Sequence, residues 1–108
     1  MKAKNFEYDS ELDNFYIYSD NDEAIVGSLP FGNLIYDISV SGAVVKLEID
    51  NASKVFNVSP KLLESAEDAT LSITTTRNML LLGFRIMLGK QTFVFSNSIP
   101  RNKINILA

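Results

Sequence analysis

The sequence predicts an α+β domain made mostly of antiparallel sheet. About eight strands are expected, with one short helix between an N-terminal sheet of about five strands and a C-terminal three-stranded meander. Three observations carry this. Apolar and polar residues alternate with period two along much of the chain, which is the strand pattern. Turn-forming residues recur between the alternating runs. Only one segment, at Ser59-Pro60, opens like a helix. At 108 residues and 46% hydrophobic, the chain is read as one domain spanning residues 1–108.

The first hairpin is read from Phe6 and Tyr8, a polar loop from Asp9 to Asn14, and then Phe15 and Ile17. Closing that loop sets Phe6 opposite Ile17 and Tyr8 opposite Phe15, with Tyr16 and Tyr18 on the other side. A charged turn, Asp20-Asn21-Asp22-Glu23, leads to a short strand from Ala24 to Leu29, ended by Pro30 and Gly32-Asn33. In the second hairpin Leu34, Tyr36, Ile38 and Val40 alternate on one strand, and Val45, Leu47 and Ile49 on the next. A two-residue Ser41-Gly42 loop pairs Tyr36 with Leu47, Ile38 with Val45 and, on the reverse face, Asp37 with Lys46. A loop two residues longer would oppose Asp37 and Glu48, a like-charge pair that costs a few tenths of a kcal/mol or more.

Ser59 is a helix cap and Pro60 suits the first helical position. Leu62, Leu63 and Ala66 form the apolar side, and Glu67-Asp68 are the wrong charge for a helix C-terminus, so the helix is short. The meander follows. Two-residue turns at Arg77-Asn78 and Gly89-Lys90 pair Leu71 with Phe84, Ile73 with Leu82, Ile86 with Phe93 and Phe84 with Phe95. One face is then wholly apolar. The reverse face of the middle strand carries Met79, Leu81, Arg85 and Met87, beside Val94, and is greasier than a free surface. These five residues are the candidate interface, and the natural occupant is a second copy of the chain. Arg85, if buried there, needs an acidic partner. The competing cover is the short helix. The tail from Ser98 to Ala108 is assigned no element.

The chain has no Cys, His or Trp. That removes disulfides, thiolate metal sites, cysteine nucleophiles, and the commonest general base and transition-metal ligand. No Ser-x-x-Lys and no glycine-rich phosphate loop is present. We therefore expect no enzyme activity, no catalytic residues and no cofactor. Asp9, Glu11 and Asp13 form a candidate binding loop that could converge on Ca²⁺ or Mg²⁺. The calcium-loop pattern fails, because the positions that need Gly and Glu hold Asn14 and Asp20. The expectation is a solvated loop with Asx-type turns and no metal. A small-ligand or divalent-metal binder is the alternative.

The net charge of −3 disfavours a nucleic-acid binder that works by bulk charge. Charge is split along the chain. Residues 1–53 hold three bases against ten acids, and residues 54–108 hold seven bases against three acids. Either the two halves neutralise each other, or the basic part contacts RNA or an acidic protein. No stacking motif of an RNA-recognition module accompanies it. The opening residues contain no apolar core of a signal peptide, and Met79–Leu88 is about half the ~20 residues a membrane helix needs. The expected protein is soluble and cytoplasmic, with no membrane partner.

Tyr8-Asp9-Ser10-Glu11-Leu12-Asp13-Asn14-Phe15-Tyr16-Ile17 resembles a family motif, Tyr-Asp-x-Glu-x-Asp-x-hydrophobic-Tyr-Ile. Leu34 to Ile38, Gly42, Val45 to Ile49 and Ala52-Ser53 resemble its second block. The chain is in this respect similar to the small prokaryotic family catalogued as domain of unknown function 2283, over roughly the first half of its length. It departs at Lys46, where that family often has Gly, and in a longer stretch before Leu34. The resemblance implies a small β-rich domain without established activity. Some members pair genetically with small ribonuclease toxins, which implies an antitoxin-like or RNA-associated partner role as a further alternative, here through the basic C-terminal part. The matched positions are Tyr8, Asp9, Glu11, Asp13, Tyr16, Asp37 and Glu48. The resemblance leaves Tyr8 as a packing residue and the loop acids as residues that fix the first hairpin. The first expectation remains a non-enzymatic, homodimeric interaction protein.

Overall fold

A computed structural model describes residues 5–100. The element order is β1 (Phe6–Asp9), β2 (Asn14–Tyr18), β3 (Ile25–Phe31), β4 (Leu34–Ser39), β5 (Val44–Ile49), α1 (Ala52–Phe56), α2 (Pro60–Glu64), β6 (Ala66–Thr75), β7 (Met79–Leu88) and β8 (Gln91–Pro100). The strands form a five-stranded sheet of order β1-β2-β5-β4-β3 and a three-stranded meander β6-β7-β8, with every pairing antiparallel. This is the expected α+β architecture, with two short helices where the sequence pointed to one.

The first hairpin has the expected register, Phe6 opposite Ile17 and Tyr8 opposite Phe15. β3 departs from expectation by running through Pro30 to Phe31. Among the described residues it is an edge strand, bonded to β4 alone, so the missing proline N–H costs no ladder bond. The β4–β5 hairpin keeps Tyr36 opposite Leu47 and Asp37 opposite Lys46, but Ile38 pairs with Val44 and not with Val45. Its loop has three residues: Ser39 N–H bonds the Ala43 carbonyl, and Gly42 takes the left-handed conformation at φ 86°. The odd loop residue is offset by a bulge, which restores the Asp37–Lys46 pairing. Val44 is therefore in the core, Val45 is not, and Val40 is 69% exposed at the loop tip.

α1 lies between Asn51 and Asn57, both left-handed at φ 54°. Asn tolerates that conformation. α2 follows the sequence closely: the Ser59 Oγ accepts the Leu62 N–H at 3.1 Å and Pro60 opens the helix. It ends at Glu64, earlier than expected. Ala66, Glu67 and Asp68 belong to β6, because β7 is long enough to pair with them, with a bulge between Ala66 and Asp68.

The two sheets share one core. Phe15, Ile17, Tyr36, Ile38, Leu47 and Ile49 from the first belong to the same cluster as Leu80, Leu82, Phe84, Ile86 and Leu88 of β7. Full burial of each large side chain is worth about 1.5–3 kcal/mol. Phe56 of α1 sets its ring against Phe84, Phe93 and Phe95, with centroids 6.2, 5.5 and 5.4 Å away. Tyr36 O–H donates to Asn97 Oδ1 at 3.2 Å, a polar link between the sheets. Each sheet thus has a buried inner face and an open outer one. No helix among the described residues is long and apolar enough to cross a membrane.

Candidate functional site

The acidic loop binds its own backbone. Asp9 Oδ1 accepts the N–H groups of Glu11 and Leu12 at 3.0 and 3.2 Å, an Asx-type turn. Asp13, left-handed at φ 56°, accepts the Tyr8 O–H at 2.7 Å and the Ser53 N–H and O–H at 3.0 and 2.7 Å. Its carbonyl takes the Ala52 N–H at 2.8 Å. The segments Tyr8…Asp13 and Ala52-Ser53 therefore meet, and Asp13 caps α1 from 40 residues away. Burial pushes the Asp13 carboxyl up, but the Tyr8 and Ser53 hydrogen bonds and the Lys54 charge hold it below its ordinary value. The Tyr8 phenol is raised by burial and by the Asp13 hydrogen bond and charge. Glu11 is exposed and does not join Asp9 and Asp13 at one point. No group of three or more His, Cys, Asp or Glu among the described residues is placed to hold a metal ion.

The meander brings the five candidate interface residues onto one face. Arg85 pairs with Val94, Met87 with Thr92, Leu81 with Ser98 and Met79 with Pro100. Met79 and Met87 are half-buried, Leu81 is 37% exposed and Val94 is 70% exposed. The inner row of the same strand (Leu80, Leu82, Phe84, Ile86, Leu88) is almost wholly buried. The helices do not cover the outer face, since Leu63 lies in the core and Leu62 and Ala66 pack against it. Arg85 is not buried and has an acidic neighbour within the chain. Its side chain is 51% exposed, and Asp68 Oδ2 stands 4.0 Å from Nη2. Extension of β6 back to Ala66 places Asp68 on this face, diagonal to Arg85.

The structure adds residues that the apolar pattern did not mark. Gly83 floors a shallow depression of about 430 Å³, rimmed by Thr70, Ser72, Thr74, Leu81, Arg85, Val94 and Ser96. A Cβ at Gly83 would lie 2.8 Å from Ser72 Oγ and 3.0 Å from the Phe95 carbonyl oxygen. A glycine flanked by Ser and Thr at strand spacing was the available clue.

The outer face of the five-stranded sheet is largely polar, with Ile35 beside Glu48 and Pro30 beside Ile35. Lys46 Nζ lies 3.3 Å from Asp37 Oδ2 and 5.9 Å from the Tyr16 ring centre, and Ser28 O–H donates to Asp37 at 2.7 Å. Tyr16 and Tyr18 stack at 6.5 Å. The neighbouring Asp50 carboxyl and burial raise the Glu48 carboxyl above its ordinary value.

No family model, no curated protein and no solved structure matches this chain.

Proposed function

We propose that the protein is a non-enzymatic interaction module that works as a homodimer, two copies meeting through the outer face of the meander. One observation carries the reading: β7 is closed on its inner side and open on its outer side, where Leu81, Val94 and the Gly83 depression face solvent. The face is poor in charge. Apart from Asp68 and Arg85, its strand positions hold Thr, Ser, Met, Leu, Gly, Val and Pro. Charge depletion with Met enrichment marks the centre of protein interfaces.

A two-fold axis near Gly83 would place the uncharged centre of the face against itself, with the Asp68–Arg85 pair toward one end. Three ten-residue strands span roughly 33 × 14 Å. Two copies then bury on the order of 1,000 Å², the lower end of specific interfaces. A reversible dimer that forms at micromolar concentration is the expected result. The absence of His and Cys from the sequence supports a non-catalytic role. The resemblance of the first half to domain of unknown function 2283 belongs to the same proposal, as does a cytoplasmic setting.

Light scattering across a concentration series tests it. The expected mass rises toward twice 12.0 kDa, and Val94→Glu holds it at the monomer. A monomeric mass at every concentration, identical in Val94→Glu, refutes the proposal.

A further inference from the structure

The outer face of the five-stranded sheet points away from the meander, and its chemistry is different. Residues 5–53 carry ten acids and one base, Lys46. On the face itself Tyr16 lies between Glu7 on β1 and Glu48 on β5, and Tyr18 is beside Lys46 and next to Tyr16 along β2. Asp37 is on β4, across from Lys46, and Asp50 follows β5.

Lys46 shows what this surface does with a cation. Its ammonium is held by a carboxylate at 3.3 Å and sits over an aromatic ring at 5.9 Å. Acids and rings continue beside it. Tyr18 stacks on Tyr16, and Glu7 and Glu48 flank the pair. Among the described residues no ion pair reaches Glu7 or Glu48. The Glu48 carboxyl is crowded by Asp50, and Asp50 Oδ1 is buried without a hydrogen-bond partner among the described residues.

We propose that this face docks a basic polypeptide segment, its Arg or Lys side chains seated on Tyr16 and Tyr18 between Glu7, Glu48 and Asp50. Charge complementarity selects the occupant: the face has four acids against one base, so it attracts cationic protein and repels nucleic acid. Successive cations on an extended segment recur every second residue, the spacing of Tyr16 and Tyr18 along β2. The paired rings add a contact that an acidic loop lacks, and Tyr is a residue enriched at interface anchors.

The test is fluorescence anisotropy of the full chain with a labelled peptide of alternating arginine and serine. The expected result is saturable binding. The isosteric double variant Glu7→Gln/Glu48→Gln should weaken it about tenfold, and Tyr16→Thr/Tyr18→Thr, which keeps strand propensity, should do likewise. Asp20→Asn/Asp22→Asn removes the same charge from the exposed turn and should change affinity by less than about twofold. Binding should survive in Val94→Glu, which separates this face from the dimer proposal. Equal losses in the Asp20/Asp22 variant would reduce the effect to bulk charge and overturn the proposal. So would absence of saturation, or tighter binding of a labelled single-stranded RNA.

Discussion

Asp13 holds the first hairpin to α1, and its removal is the sharpest test of the fold's internal logic. Its carboxylate accepts three hydrogen bonds, from the Tyr8 O–H and from the N–H and O–H of Ser53. A hydrogen bond to a charged group is worth about 1.5–3 kcal/mol. The site is half-buried and two donors belong to one residue, so the low end applies and the values do not add. Ala also tolerates φ 56° poorly, at about 1 kcal/mol or more. Asp13→Ala should therefore cost about 4 kcal/mol, a large share of the 5–15 kcal/mol typical of a domain. Asp13→Asn keeps an acceptor and suits the left-handed backbone, so it should cost about 1–2 kcal/mol. Urea denaturation followed by circular dichroism measures both.

The pH dependence has a definite sign. The folded carboxyl lies below its ordinary value of 3.8, so its stabilisation is complete above that value and is lost as pH falls through the lower folded pKa. The gap between the native chain and Asp13→Asn should close on acidification below about pH 4. Two results would refute this account. One is Asp13→Ala within about 0.5 kcal/mol of the native chain. The other is strong stabilisation by millimolar Ca²⁺, Mg²⁺ or Mn²⁺ that disappears in Glu11→Ala, which would make the loop a cation site.

Three further outcomes are expected. Gly83→Ala should destabilise by about 1–3 kcal/mol, because the new Cβ meets the Phe95 carbonyl oxygen as well as Ser72; adding Ser72→Ala should restore only part, by thermal melts. Tyr36→Phe should cost about 1 kcal/mol by removing the bond to Asn97, and burial that lifts the Tyr36 phenol to about 12 means the native chain should show no tyrosinate absorbance from it at pH 10. Glu48 is held above its ordinary 4.5, so its favourable contribution exists below that value and fades as pH rises through the raised one. Glu48→Gln should accordingly be more stable than the native chain at pH 7, by up to about 1 kcal/mol, with the advantage gone at pH 4 in denaturant titrations.

What the sequence disclosed was whatever local pairing determines. The meander register, Leu71 with Phe84 through Phe84 with Phe95, follows from two short turns and alternation. Asp37 opposite Lys46 followed from avoiding a like-charge pair, although the loop and bulge that deliver it differ from the two-residue turn. Long-range features stayed hidden. α1 is five residues long and lacks a cap of its own, because Asp13 supplies it across the chain. The Arg85–Asp68 pair was missed because Asp68 reads as the end of a helix until β7 recruits it into a strand. β3 was cut at Pro30, since only sheet order reveals that it lies at an edge. Of the candidate residues, Met79, Leu81, Arg85, Met87 and Val94 do share a face, while the depression over Gly83 needed three strands to be seen.

Single-cysteine cross-linking reports whether two copies meet on the meander's outer face. The chain has no Cys, so each variant carries one thiol. Ser96→Cys, beside Gly83, and Ser28→Cys, on the outer face of the other sheet, are oxidised in parallel and run on a denaturing gel. Ser96→Cys should give a disulfide-linked dimer that Val94→Glu abolishes, and Ser28→Cys should stay monomeric. Cross-linking through Ser28→Cys with none through Ser96→Cys would contradict it.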